Sequence, residues 1–153
     1  MAAKSAGLLL YRTTDHGEVE VLIAHPGGPF WAGKDEGAWT VPKGEYGPGA
    51  DPLAAAYREF REETGFDAPS GAALSLGEVR QPGGKRVTVW ALEGDLDVTQ
   101  ASSNTFEIEW PPRSGTVREF PEVDRLEWAG VGRARAKLLS GQVPFLDRLL
   151  DAL

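Results

Sequence analysis

A helix with both of its ends written into the sequence sets what this chain can fold into. Asp51 is a good N-cap, Pro52 sits at the first helical position, where its missing N–H costs nothing, and Gly65 supplies the left-handed residue that ends the helix. Between them, Leu53 to Thr64 are mostly strong helix formers. On a helix turning about 100° per residue, Leu53, Ala56, Tyr57, Phe60 and Thr64 share one stripe, which has to be covered by a sheet. Glu59, Glu62 and Glu63 share the adjoining stripe, about 100° wide.

The rest of the chain supplies that sheet. Ala6 to Tyr11 and Val19 to His25 read as antiparallel strands joined by the turn Thr13 to Gly17. Pro26 to Gly37 is a Gly/Pro-rich loop carrying Phe30 and Trp31, Trp39 to Val41 is a short strand, and Lys43 to Ala50 is a Gly-rich loop. Leu74 to Arg80 and Arg86 to Glu93 are strands around Gln81-Pro82-Gly83-Gly84, with shorter strands at Phe106 to Trp110 and Arg125 to Trp128. Val131 to Leu139 and Phe145 to Leu150 have helical spacing. Strands first, one helix, more strands and helix at the end predict an α+β fold, a mixed sheet sandwiched between helices, as a single domain over residues 1–153.

Composition narrows the chemistry. There is no cysteine, which excludes disulfides, thiolate metal sites and a cysteine nucleophile, and fits a reducing compartment. The apolar run Leu8 to Leu10 is too short for a secretory signal, and no stretch approaches a membrane span, so the expected location is cytoplasmic. The formal net charge of −7 disfavours nucleic acid and anionic membranes as partners. A small phosphorylated ligand stays compatible if a cation supplies local positive charge.

The acidic stripe is the place for such a cation. Glu59, Glu62 and Glu63 repel one another and lie in the C-terminal half of the helix, where the macrodipole disfavours negative charge. Arg58 and Arg61 offset part of this, Arg58 reaching Glu62 at i,i+4. On these residues alone a solvated surface stripe is the commoner arrangement; a hard divalent cation, Mg²⁺ with Mn²⁺ as a substitute, is the alternative that would relieve the crowding.

The segment Gly44 to Phe66, GEYGPGADPLAAAYREFREETGF, resembles the Nudix box, GX5EX7REUXEEXGU, with U a bulky apolar residue. Gly44 fits the opening glycine, and Arg58 to Phe66 fits the whole second half. Ala50 stands where the family has its first glutamate; Glu45 is the nearest substitute. The resemblance implies the Nudix fold and hydrolysis of a phosphoanhydride bond in a nucleoside diphosphate linked to another moiety: a dinucleoside polyphosphate, a nucleotide sugar or ADP-ribose. A sanitising nucleoside-triphosphate pyrophosphohydrolase is one alternative. A nucleotide-sensing module weakened by Ala50 is another.

The resemblance also implies roles. Glu59, Glu62 and Glu63 would bind the metal with the backbone carbonyl of Lys43, Glu59 or a later loop glutamate would be the base or orient the nucleophilic water, and Arg58 would orient the carboxylates. A further glutamate from beyond the box is expected from Glu107, Glu109, Glu119 and Glu122; Glu119 and Glu122 are preferred because their segment reads as irregular. Lys43, and separately Lys85 and Arg86 in the turn after Gly84, are candidates for phosphate, and Trp31 for stacking on a base. Trp39, Trp90, Trp110 and Trp128 read as packing residues, and His16 and His25 have no ligand partner at sensible spacing. Homodimers are common in the family, but no interface is legible in the sequence.

Overall fold

The computed structural model describes residues 3–153. Its centre is β1 (Lys4–Thr13), an almost continuously buried strand. Such a strand serves two cores at once. Ala6, Leu8 and Leu10 enter one apolar cluster, and Leu9 and Tyr11 enter the other. The other strands are β2 (Val19–Pro26), β3 (Lys43–Glu45), β4 (Leu74–Arg80), β5 (Arg86–Glu93), β6 (Thr105–Glu109), β7 (Val117–Pro121) and β8 (Val123–Gly130). The main sheet runs β4-β5-β1-β2-β8 with β3 also on β1, while β6 and β7 form a separate hairpin. β1 and β5 are parallel and the other pairs antiparallel, so the sheet is mixed.

Helices cover both faces, as the α+β reading expects. α1 (Pro52–Thr64) packs Ala55, Ala56 and Phe60 on Ala6, Leu8, Leu10, Leu22 and Leu92. On the other face, α3 (Pro144–Ala152) buries Phe145, Leu146 and Leu149, and α2 (Val131–Lys137) buries Ala134. No helix among the described residues is long and apolar enough to cross a membrane.

What positions the site is a split in the sheet. β1 pairs with β2 through Tyr11, Arg12 and Thr13, but with β3 through Ser5, Ala6 and Gly7. The chain from Trp39 to Glu45 fills the opening. Ala24 and Thr40 exchange backbone bonds of 2.8 and 2.9 Å, and Leu8 N–H donates to the Pro42 carbonyl at 3.2 Å. Buried Gln142 closes the wedge from below, its Oε1 accepting from Val41 N–H at 2.8 Å.

Two segments differ from expectation. Lys43 to Glu45, read as loop, is β3; Lys-Gly-Glu carries no strand alternation, and the open backbone of β1 recruits it. Val117 to Pro121, read as irregular, is β7, paired with β6 in a register that sets Phe106 opposite Phe120. Its residues are largely exposed, so its pattern lacks a buried face to betray it.

Candidate active site

α1 delivers its acidic stripe to the split between β1 and β2. Asp51 Oδ2 accepts from Ala54 N–H at 3.0 Å, and Gly65 takes the left-handed conformation at φ 79°, so both ends stop where the sequence places them. Burial of Phe60 and Thr64 fixes the helix roll and leaves Glu59 and Glu63, one turn apart, facing β3. A Cβ on Gly44 would collide with the Glu59 carboxylate. Glycine is therefore what lets the strand run against the helix. Lys43 N–H donates to Glu63 Oε1 at 3.1 Å, tying the two elements together.

A third carboxylate arrives from far along the chain, by a relay of backbone bonds. The last carbonyls of α1 need partners. Ser102 N–H donates to Thr64 O at 3.0 Å and Asn104 N–H to Glu62 O at 2.8 Å. Asn104 O in turn accepts from Glu122 N–H at 2.8 Å, and Glu122 O accepts from Gly27 N–H at 2.9 Å. Glu122 is thus held between the helix end and the loop after β2. Carboxylate oxygens of Glu59, Glu63 and Glu122 all lie within 4.8 Å of one another.

Burial pushes the Glu63 carboxyl up to about 8; the charges of Glu59 and Glu122 add to this, while Lys43 and its backbone N–H oppose it. Glu122 is also pushed up, by burial first and then by Glu59 and Glu62. Three converging hard oxygen donors, strained by mutual repulsion and desolvation, fit a hard divalent cation, which would favour the charged carboxylates.

The other predicted residues distribute around this group. Glu62 stands at its margin, close enough to raise Glu122 but outside the tight trio, with Arg58 Nε 4.0 Å from its Oε1. Arg58 also donates to Glu59 Oε1 at 3.2 Å. Glu119 is exposed on β7 opposite Glu107, away from the trio, and Glu109 is exposed and accepts from Arg113 N–H. Ala50 is exposed in the loop before α1, and Glu45 lies outside the trio.

Beside the trio opens a cavity of about 660 Å³, lined by Glu63, Glu122, Lys43, Trp31, Lys85 and Pro82 among others. Trp31 is half-buried, with Lys34 Nζ 5.1 Å from its ring centre. Burial lowers the Lys43 ammonium, and nearby Lys85 lowers it further, against the pull of Glu63, Glu45 and Glu59. Two cations therefore face one cavity. Arg86, the first residue of β5, does not line it and pairs with Glu78 at 3.3 Å.

His25, to which sequence spacing assigns no partner, is fully buried between Asp124 Oδ1 and the Lys34 carbonyl, each 2.7 Å from a ring nitrogen. Its ring also meets Trp39 edge-on at 5.1 Å. This pins the loop bearing Trp31 to the start of β8. Trp39 is 2% exposed, the packing residue expected, whereas Trp110 meets exposed Phe30 at 5.5 Å on the hairpin.

Comparison with known proteins agrees with this geometry. The NUDIX domain model matches residues 1–149. A Mus musculus bis(5'-nucleosyl)-tetraphosphatase (asymmetrical) is 32% identical over 103 residues, covering 61% of this chain and 66% of the mouse protein. The Rattus norvegicus protein of that name is 32% identical over 109 residues, covering 64% of this chain and 70% of its own length. The chain thus spans just under two thirds of the mouse relative's length. Among solved structures, a C. elegans Ap4A hydrolase binary complex superposes with a TM-score of 0.67 at 22% identity, covering 97% of this chain and 96% of the other. That likeness is one of fold.

Proposed function

The chain belongs to the NUDIX domain family, and on that premise we propose that it hydrolyses a phosphoanhydride bond of a nucleotide substrate, specifically a dinucleoside polyphosphate, using Mg²⁺ or Mn²⁺. The observation that carries this reading is the Glu59–Glu63–Glu122 trio opening onto a cavity walled by two lysines. The choice of a two-nucleoside substrate rests on the names of the mouse and rat relatives.

Glu59, Glu63 and Glu122 would hold the cation, with the Lys43 carbonyl and Glu62 beside them. When bound, the cation supplies charge neutralisation at the phosphate oxygens. The chain's own residues do the remainder. Lys43 and Lys85 bind and orient the phosphate chain, and Trp31 stacks on a base. Arg58 holds Glu59 in place, and Glu59 or the loop glutamate Glu122 receives the proton of the attacking water or orients that water. Residues 1–153 act as one unit in this account.

Ala50 favours a second reading, a nucleotide-binding module with little turnover. A phosphate-release panel separates the two, run with Mg²⁺ and with chelator on dinucleoside polyphosphates, nucleotide sugars, ADP-ribose and nucleoside triphosphates. Chelator-sensitive cleavage of dinucleoside polyphosphates is the expected result. Binding without cleavage of any member would overturn it in favour of the module.

A further inference from the structure

Fully buried His25 belongs neither to the carboxylate trio nor to the cavity wall. Its Nε2 stands 2.7 Å from the Lys34 carbonyl, which can only accept, so that nitrogen donates its N–H. Nδ1 faces Asp124 Oδ1, also at 2.7 Å. Out of contact with water, neither partner can be lost cheaply.

The bond to Lys34 holds a segment that has little else to order it. On either side the chain is fixed: Gly27 N–H donates to Glu122 O at 2.9 Å, and Asp35 takes Lys137 Nζ at 2.6 and 2.7 Å. Between them, among the described residues, Gly28 to Lys34 is hydrogen-bonded to the rest of the protein only through the Lys34 carbonyl and His25. Gly28 and Gly33 make that stretch costly to order. Lys34 then turns back on Trp31. Its N–H donates to the Trp31 carbonyl at 3.0 Å, and its Nζ lies 5.1 Å from the indole ring centre. Trp31 lines the cavity and Lys34 does not, so the part of the indole that meets the cavity stays uncovered by the ammonium.

On the reading of the site given above, we infer that His25 is a positioning residue for the base-stacking Trp31. It fixes the Lys34 carbonyl, and Lys34 fixes the indole through its backbone N–H and its ammonium. Ordering the ring before a ligand arrives removes part of the cost of binding a base. The phosphate chain, held by the cation and by Lys43 and Lys85, gains nothing from this. His25 therefore adds affinity for ligands that carry a base and leaves the chemical step alone.

The test uses substitutions that divide the bonds of the ring. The amide of His25→Gln reaches where Nε2 stands and keeps a donor for Lys34. That of His25→Asn reaches where Nδ1 stands and keeps only the Asp124 side. The expected result is a KM for diadenosine tetraphosphate about tenfold higher in His25→Asn with kcat unchanged, and within about threefold of the wild type in His25→Gln. Inhibition by tripolyphosphate, which has phosphates and no base, should be the same in each. In a Trp31→Ala background, where KM is already raised, His25→Asn should add less than about twofold. Equal rises in both His25 variants, a matching loss of tripolyphosphate inhibition, or a full further rise without Trp31 would overturn the inference and leave the hydrolase reading intact. If His25→Asn does not fold, Lys34→Met, at an exposed position, removes the ammonium over the indole. KM should then rise about threefold, and only while Trp31 is present; an unchanged KM would overturn the inference. If the wild type does not cleave diadenosine tetraphosphate, the hydrolase reading fails, and Kd by calorimetry replaces KM in the same comparisons. A wild type that does not bind it either would overturn the inference as well.

Discussion

The backbone N–H of Lys43 donates to Oε1 of Glu63 at 3.1 Å. This contact joins the strand that fills the split sheet to the helix that carries the acidic stripe. A small change in either element should therefore be felt at the carboxylates before it is felt by the fold.

Gly44→Ala tests that coupling. The added methyl would meet the Glu59 carboxylate, forcing the side chain or the strand aside. Cation affinity and kcat should each fall by about tenfold or more, with far-ultraviolet circular dichroism unchanged. A variant that binds Mn²⁺ like the wild type would show that Glu59 does not need its place.

Glu63 predicts a pH dependence. Its carboxyl is raised from 4.5 to about 8 by burial. The cation-free folded protein therefore keeps a proton that the unfolded chain releases. This contribution to stability is present in full below pH 4.5 and is lost as pH rises through about 8. Cation binding needs the charged form and expels the proton. Apparent Mn²⁺ affinity should rise with pH and level off above about 8. Calorimetry in buffers of different ionisation enthalpy should find about one proton released near pH 6 and almost none near pH 9. No proton release at the lower pH would contradict the assignment.

Gln142 predicts stability without chemistry. It is fully buried, accepts from Val41 N–H at 2.8 Å, and donates to Thr40 Oγ1 at 2.9 Å and Gln81 Oε1 at 3.2 Å. Gln142→Leu would leave the Val41 N–H unpaired in the core, costing about 1–3 kcal/mol in urea denaturation. An unchanged midpoint would mean that the wedge is not held from this side.

Ala50→Glu restores the family's first glutamate. Ala50 is exposed and lines no cavity that the trio borders, so kcat is expected to change by no more than a few-fold. A rise of orders of magnitude would instead identify Ala50 as the cause of a weakened enzyme.

The sequence makes α1 and its stripe legible because capping and helical periodicity are local. Asp51, Pro52 and Gly65 speak for their own positions, and Glu59 and Glu63 follow from spacing alone. Glu122 joins them only through the backbone relay from Thr64 and Glu62 by way of Ser102 and Asn104. No sequence pattern announces that relay. Glu119 and Glu122 therefore look equivalent until the hairpin turns one outward. Lys85 and Arg86 are neighbours in sequence, yet only Lys85, in the turn before β5, lines the cavity. His25 and Asp124 are a pair that topology makes, and β3 exists because β1 has open backbone to share.

The measurement that tests the central claim most directly compares Glu122→Gln with Glu119→Gln. Each is assayed for Mn²⁺ binding by electron paramagnetic resonance and for chelator-sensitive hydrolysis of diadenosine tetraphosphate. The account predicts that Glu122→Gln weakens Mn²⁺ binding and lowers turnover by about a hundredfold or more, while Glu119→Gln matches the wild type. Loss in Glu119→Gln with Glu122→Gln unaffected would contradict the trio as the cation site.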